Sequence, residues 1–311
     1  MERVGELELT PVQSDQLLQM SAATIDRRLA PDRRRLRLKG RSRTKPGTLM
    51  KHQVKIRTFA DWDENRPGFV ECDLVGHEGG NAQGEFCQTL DVTDVATGWT
   101  DLRAVKNKAQ RWVFEALCDI KETLPFELLG IDSEGGAEFI NAHLIRWCAD
   151  KKITFTRSRP YRKNDGCFVE QKNWSVVRQN VGYLRYDTDA EVVVLNELYG
   201  HLRLYVNFFQ PQMKLVEKTR TGAKVHKRYD RARTPYQRLF DFNMPATARK
   251  KLRALYLELN PVQLKRDIAR CQDQLLKIAT RKQKSSGKEV KGPTVSRTSK
   301  LRQRNTRSRA S

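Results

Sequence analysis

The run FVECDLV at residues 69–75, stopped by Gly76, reads as a β-strand with one acid, Asp73, in its middle. Two more strands follow, Phe86 to Val92 and Trp99 to Val105, joined by a turn around Asp94, Thr97 and Gly98. Ala109, Trp112, Val113, Ala116, Leu117 and Ile120 then recur at helical spacing. Leu128 to Ile131 is a short strand running into Asp132. Phe139 to Ala149 is a helix with Ile140, Leu144, Trp147 and Cys148 on one face, and Ile153 to Thr156 is a fifth strand. A polar loop leads to a helix starting near Cys167, striped by Trp174, Val177, Val181 and Leu184. A last helix carries Leu195, Leu198, Leu202, Tyr205 and Val206. A three-strand meander followed by alternating helices and strands predicts an α/β fold, a mixed five-stranded sheet flanked by helices.

The 311 residues carry 59 Lys and Arg against 37 Asp and Glu, a formal charge of +22. Such a surplus calls for a polyanionic partner, nucleic acid or an anionic membrane. No apolar run approaches the roughly 20 residues that span a bilayer, and MERVGELELT at the N-terminus has no signal-peptide pattern. Nucleic acid is the partner expected, with no membrane. The six cysteines stand singly, without metal-ligand or disulfide spacing, which points to buried thiols in a reducing cytoplasm.

The charge is unevenly placed. Thirteen basic residues fall between Arg27 and Arg57 with Asp32 the sole acid, and eleven fall between Arg281 and Ser311 with Glu289 the sole acid. The expected organisation is a partial helix-turn-helix over 1–45, a basic linker over 46–64, a core over 65–210, a basic helical region over 211–280 and a disordered basic tail over 281–311.

Three carboxylates stand out. Asp73 is within a strand, Asp132 ends one, and Glu170 lies in the first turn of a helix, where the dipole favours an anion. Brought together at the carboxyl edge of a mixed sheet, they would repel unless a hard cation joined them. Spacing alone favours the plainer reading: a polar strand face, a turn and a helix-start acid. Asp94 reads as a turn residue, Glu134 and Glu138 as capping or dipole partners, and His77 as a solvated loop histidine.

The segments ECDLVGHEGGNAQGEF (71–86), TLDVTDVATGW (89–99), LLGIDSEGGAEFIN (128–141), ITFTRSRPYRKNDGCFVEQKNWSVVR (153–178) and LRLYVNFFQPQMKL (202–215) resemble the integrase-type transposases of bacterial insertion sequences. That family belongs to the retroviral-integrase superfamily, and the resemblance covers about residues 7 to 280. It implies an RNase H-like core and a DDE-type polynucleotidyl transferase whose metal triad falls on Asp73, Asp132 and Glu170. Fifty-eight residues separate the first pair and 37 the second. It further implies two Mg²⁺ or Mn²⁺ ions, about 3.5–4 Å apart, serving DNA end cleavage and strand transfer. The chain departs from the family at Glu134 and Gly135, where Asp and Asn are usual, and altered loop geometry is the expected consequence.

The DNA-holding parts follow. Ser21 is the expected N-cap of a recognition-type helix, Ile25 and Leu29 its packing stripe, and Thr24, Arg27 and Arg28 its outward face. Arg157, Arg159, Arg162 and Lys163, with Tyr161 among them, form a loop before Glu170 suited to phosphate contacts. Only a short apolar helix candidate around Leu17 precedes Ser21, so weak discrimination of element ends is expected. Expected partners are element ends, target DNA and further copies of the chain on DNA, with a helper ATPase as an additional candidate, in a bacterial, nucleoid-associated setting. A catalytically silent DNA-binding remnant that represses transposition is the alternative.

Overall fold

The computed structural model describes residues 5–6, 8–35, 54–56, 66–133, 136, 138–158, 166–222 and 224–285. In chain order its elements are α1 (Pro11–Leu18), α2 (Ala22–Arg35), β1 (Lys55–Ile56), β2 (Phe69–Gly76), β3 (Gln88–Asp94), β4 (Thr100–Val105), α3 (Gln110–Thr123), β5 (Gly130–Ser133), α4 (Ala142–Asp150) and β6 (Thr154–Arg157). Then come α5 (Cys167–Lys172), a π-helical turn (Asn173–Arg178), α6 (Gln179–Val181), α7 (Asp189–Phe209), the hairpin β7 (Leu215–Thr221) and β8 (Lys224–Tyr229), α8 (Pro235–Leu239), α9 (Ala246–Glu258) and α10 (Pro261–Ser285).

The main sheet runs β1-β6-β5-β2-β3-β4. β2, β3 and β4 form the antiparallel meander, whereas β5 and β6 run parallel to β2. From β2 onward this is the βββαβαβα order of an RNase H-like core. A sixth strand joins it: Lys55 and Ile56 pair in parallel with Thr156 and Arg157, inside the stretch expected to be linker. Two residues are too few to carry a periodic signal.

Strand alternation divides the core. Val70, Cys72, Leu90, Val92 and Ile131 pack on α3 and α4 through Val113, Leu117, Ile120, Leu144 and Cys148. On the opposite face Val75, Leu102 and Ala104 meet Leu195, Leu198 and Leu202 of α7, and Ile268, Cys271 and Leu275 of α10 pack into the same cluster.

The β3–β4 turn depends on Gly98, at φ +73°, where a Cβ would collide with the Gln212 amide. Asp94 closes this turn, as expected, accepting from Thr97 N and Thr97 Oγ1 at 2.8 and 2.6 Å. It also accepts from Gly68 N at 2.8 Å, tying the turn to the entry of β2. Burial raises its pKa to about 6 against those hydrogen bonds.

Several boundaries differ from the sequence expectation. β3 starts at Gln88 because the Cys87 N–H is engaged by Tyr186 O, outside the sheet. α4 starts at Ala142, where Asn141 Oδ1 accepts from Leu144 N, so Phe139 and Ile140 are buried in the preceding turn. The π-helical turn breaks 3.6-residue spacing after Lys172. Trp174 is left 50% exposed, while Val176, Val177 and Val181 face the core. The region after Pro211 is not all helical: β7 is exposed throughout, and neither β7 nor β8 alternates apolar with polar residues in a pattern to read. α10 continues beyond residue 281, and Lys282 near its end donates to Arg185 O, Asp187 and Glu191.

Because α10 completes the α7 side of the core, a fragment spanning 65–210 should aggregate or unfold non-cooperatively, whereas 65–285 should unfold as one unit. Within the full chain Ile268→Ala should cost about 2–5 kcal/mol in a urea titration. A stable, cooperative 65–210 fragment would contradict this packing account.

Candidate active site

Register sets the site. Glu71 on β2 pairs with Asp132 on β5, and Asp73 pairs with Asp91 on β3. Opposed residues share a sheet face, as do residues two apart on one strand. Glu71, Asp73, Asp91 and Asp132 therefore issue from one face of three adjacent strands. Four carboxylates so placed must be offset by donors or cations.

The helix beginning at Cys167 supplies much of that offset. Its N-cap, Gly166, sits at φ +83° and brings no capping side chain. Instead the buried Glu71 reaches across, and its Oε2 accepts from Phe168 N at 2.9 Å and Val169 N at 3.1 Å. One turn after Glu170, Asn173 donates to Asp73 Oδ2 at 2.5 Å, while Leu74 N donates to Asp73 Oδ1 at 2.7 Å. Residues three apart lie on one helical face, so the face carrying Glu170 is turned towards Asp73. Glu170 itself is exposed.

Asp91 is fully buried, and burial drives its pKa well above the ordinary value, opposed by the Thr93 hydrogen bond and the Lys172 charge. Lys172 is correspondingly lowered to about 8 by its own burial, with Asp91 pulling it up. The Lys172 ammonium donates to Gln212 Oε1 at 2.5 Å, and the Gln212 amide donates to Thr97 O and Gly98 O. On β5 the buried Asp132 accepts from Thr156 Oγ1 at 2.6 Å and Ser158 Oγ at 3.0 Å, so β6 and the residue just after it fix its orientation.

Asp73, Asp132 and Glu170 offer only carboxylate oxygens, two of them held by amide or hydroxyl donors. That donor chemistry fits a hard divalent cation such as Mg²⁺ or Mn²⁺. The Cys72 thiol is buried, and burial together with Asp91, Asp132 and Asp73 pushes its pKa well up, away from the reactive thiolate.

Other expected residues fall differently. Arg157 closes β6 rather than lying in a loop, and its Nε donates to Val54 O at 3.1 Å. Arg159, Tyr161, Arg162 and Lys163 lie outside the described residues, as do Glu134 and Gly135. His77 is a core histidine, not a solvated one: it is fully buried, bonded to Thr89 Oγ1 at 2.7 Å, and lowered to about 3 chiefly by burial. Ser21 does cap α2, accepting from Thr24 N, and Arg27 and Arg28 are exposed with Thr24 half-buried. Ile25 and Leu29, expected to pack, are instead 41% and 43% exposed. Sequence reading missed Glu71, Asp91, Lys172 and Asn173. The signal for Glu71 was its two-residue offset from Asp73, and for Asn173 its three-residue offset from Glu170.

No family model matches the chain. An uncharacterized protein of Sinorhizobium fredii, y4rM, is 43% identical over 229 residues, which are 74% of this chain and 65% of that protein. The chain thus spans less than two thirds of that relative's length. Among solved structures, the HTLV-2 integrase catalytic core domain in complex with magnesium is similar at 11% identity and TM-score 0.37, over 48% of this chain and 93% of that one. The BIV integrase catalytic core domain gives 13% and 0.34 over 56% and 94%. A simian T-cell lymphotropic virus intasome, in complex with PP2A regulatory subunit B56 gamma, gives 12% and 0.40 over 76% and 69%. The topology described above stands on strand order and register, independently of these distant similarities.

Removing the Glu71 cap should loosen the helix that carries Glu170. Glu71→Ala should cost about 1–3 kcal/mol by chemical denaturation. Glu71→Gln, whose amide oxygen can still accept both N–H groups, should recover most of the loss. Equal stability of Glu71→Ala and the parent chain would remove the cap from the account.

Proposed function

We propose that the chain is a DDE-type polynucleotidyl transferase, a transposase or integrase that cuts and joins DNA strands with two divalent metal ions. The observation that carries this reading is the Asn173–Asp73 hydrogen bond. It turns the Glu170 face of α5 towards the strand pair that bears Asp73 and Asp132.

Asp73 and Asp132 would hold the ions from the sheet, and Glu170 would complete the set from the helix. When bound, the ions would activate an attacking oxygen and stabilise the departing one in an in-line displacement at phosphorus. The protein's own part is positional. Asn173 and Leu74 N fix the Asp73 carboxylate, Thr156 and Ser158 fix Asp132, and Glu71 fixes the helix start. Water would first free a 3′-hydroxyl, which would then attack a target strand without a covalent protein intermediate.

The DNA contacts we assign include the basic hairpin after Pro211, a region whose family resemblance allows either DNA or a second protomer as its partner. β7 is exposed along its length, and its hairpin partner carries Lys227 directly opposite Lys218. Like charges facing across an antiparallel pair are unfavourable unless a polyanion lies over them. A two-stranded ribbon also fits the major groove of duplex DNA. Its base lies beside the site: Lys214 donates to Val95 O and Ala96 O, and its ammonium sits 5.8 Å from the Phe168 ring centroid. Exposed Arg27 and Arg28 on α2 would add phosphate contacts, and further copies of the chain would assemble on the DNA.

Asp73→Asn, Asp132→Asn and Glu170→Gln should each abolish Mg²⁺- or Mn²⁺-dependent nicking and strand transfer on DNA bearing the element's ends, with DNA affinity nearly unchanged. Full activity in any of the three would remove that residue from the assignment.

Lys218→Ala with Lys227→Ala should instead weaken DNA binding. The slope of log affinity against log salt should become shallower by about 0.9 for each phosphate that the hairpin no longer neutralises. An unchanged slope would take the hairpin off the DNA.

A further inference from the structure

A second cluster of donors lies on other elements, in the seam between α7 and α10. We propose that Glu197, His201 and Cys271 form a structural site for a borderline-soft divalent cation, Zn²⁺ in the first place. Glu197 and His201 are four residues apart on α7, hence on one helical face. Cys271 comes from α10, which packs along that helix. One ligand atom from each residue lies within 4.8 Å of the others.

The chemistry selects the ion. A thiolate, an imidazole nitrogen and a carboxylate oxygen together suit Zn²⁺, whereas the all-oxygen set of Asp73, Asp132 and Glu170 suits Mg²⁺. Burial is graded: Cys271 is buried, His201 half-buried and Glu197 exposed. The seam is therefore open to solvent on the Glu197 side, where an ion can enter and a water can complete four-coordination.

Without an ion the thiol stays protonated, since burial and the adjacent Glu197 both raise its pKa. Binding would release that proton to solvent as the sulfur–metal bond forms, with no redox step. Glu197 Oε1 also accepts from Arg270 at 3.0 Å, but Arg270 lies 3.3 Å from Asp267 too and keeps a partner if Glu197 turns to the ion. Such an ion would clamp α10 onto the core. This inference does not depend on the DNA-joining function.

The test uses the full chain, freed of metal with a chelator and titrated with Co²⁺ as a spectroscopic probe. One Co²⁺ per chain should give a thiolate-to-metal charge-transfer band that Zn²⁺ abolishes by displacement. Cys271→Ser and His201→Asn should each lose the band, and Asp73→Asn and Cys167→Ser should keep it. Should Cys271→Ser not fold, the half-buried His201→Asn and the exposed Glu197→Gln carry the test. Each should weaken Zn²⁺ binding by about tenfold or more and remove the Zn²⁺-dependent rise in Tm. No thiolate band at one equivalent of Co²⁺, or a band that survives His201→Asn unchanged, would overturn the site.

Discussion

Four carboxylates on one face of three neighbouring strands are a standing electrostatic problem, and the rest of the molecule is arranged around its solution. Register alone puts Glu71, Asp73, Asp91 and Asp132 together. The helix from Cys167 onward answers three of them in order: its first amides go to Glu71, the charge of Lys172 favours the ionised form of Asp91, and Asn173 goes to Asp73. Thr156 of β6 and Ser158 just beyond it answer the fourth. A helix hydrogen-bonded to Glu71 at its start and to Asp73 one turn on has little freedom to rotate, so the face that carries Glu170 is oriented by one acid outside the proposed triad and one within it.

Charge balance also joins the site to the C-terminal part of the chain. Lys172 is a buried cation whose ammonium also needs an acceptor. It finds Gln212, which in turn donates to the β3–β4 turn at Thr97 and Gly98. The basic hairpin starts just beyond Gln212, so the ribbon assigned to DNA grows directly out of the frame that orients the carboxylates. α10 closes the far side of α7 and makes the region after Pro211 part of the core rather than an appendage.

Legibility followed length and period. The meander, α3 and α7 are long and periodic, and the run FVECDLV was readable at once. β1 has two residues and the hairpin does not alternate apolar with polar residues, so neither offers a pattern to read. The Trp174 stripe failed because a π-helical turn changes the spacing without any mark in composition. Of the proposed site, Asp73, Asp132 and Glu170 stand out in the sequence by type and position, and the family resemblance is what groups them. Asp91 and Lys172 do not stand out, because their importance comes from a cross-strand partner and from burial that only the assembled sheet creates. His77 misled for the same reason: a histidine just past a strand reads as loop until Thr89 and Tyr186 close over it.

The most direct measurement is an anomalous difference map from crystals of the full chain soaked in Mn²⁺. Density bounded by the carboxylates of Asp73, Asp132 and Glu170, absent in Asp132→Asn crystals grown the same way, is the result expected. Saturating Mn²⁺ with no peak among these three carboxylates would contradict a metal-dependent DNA-joining site.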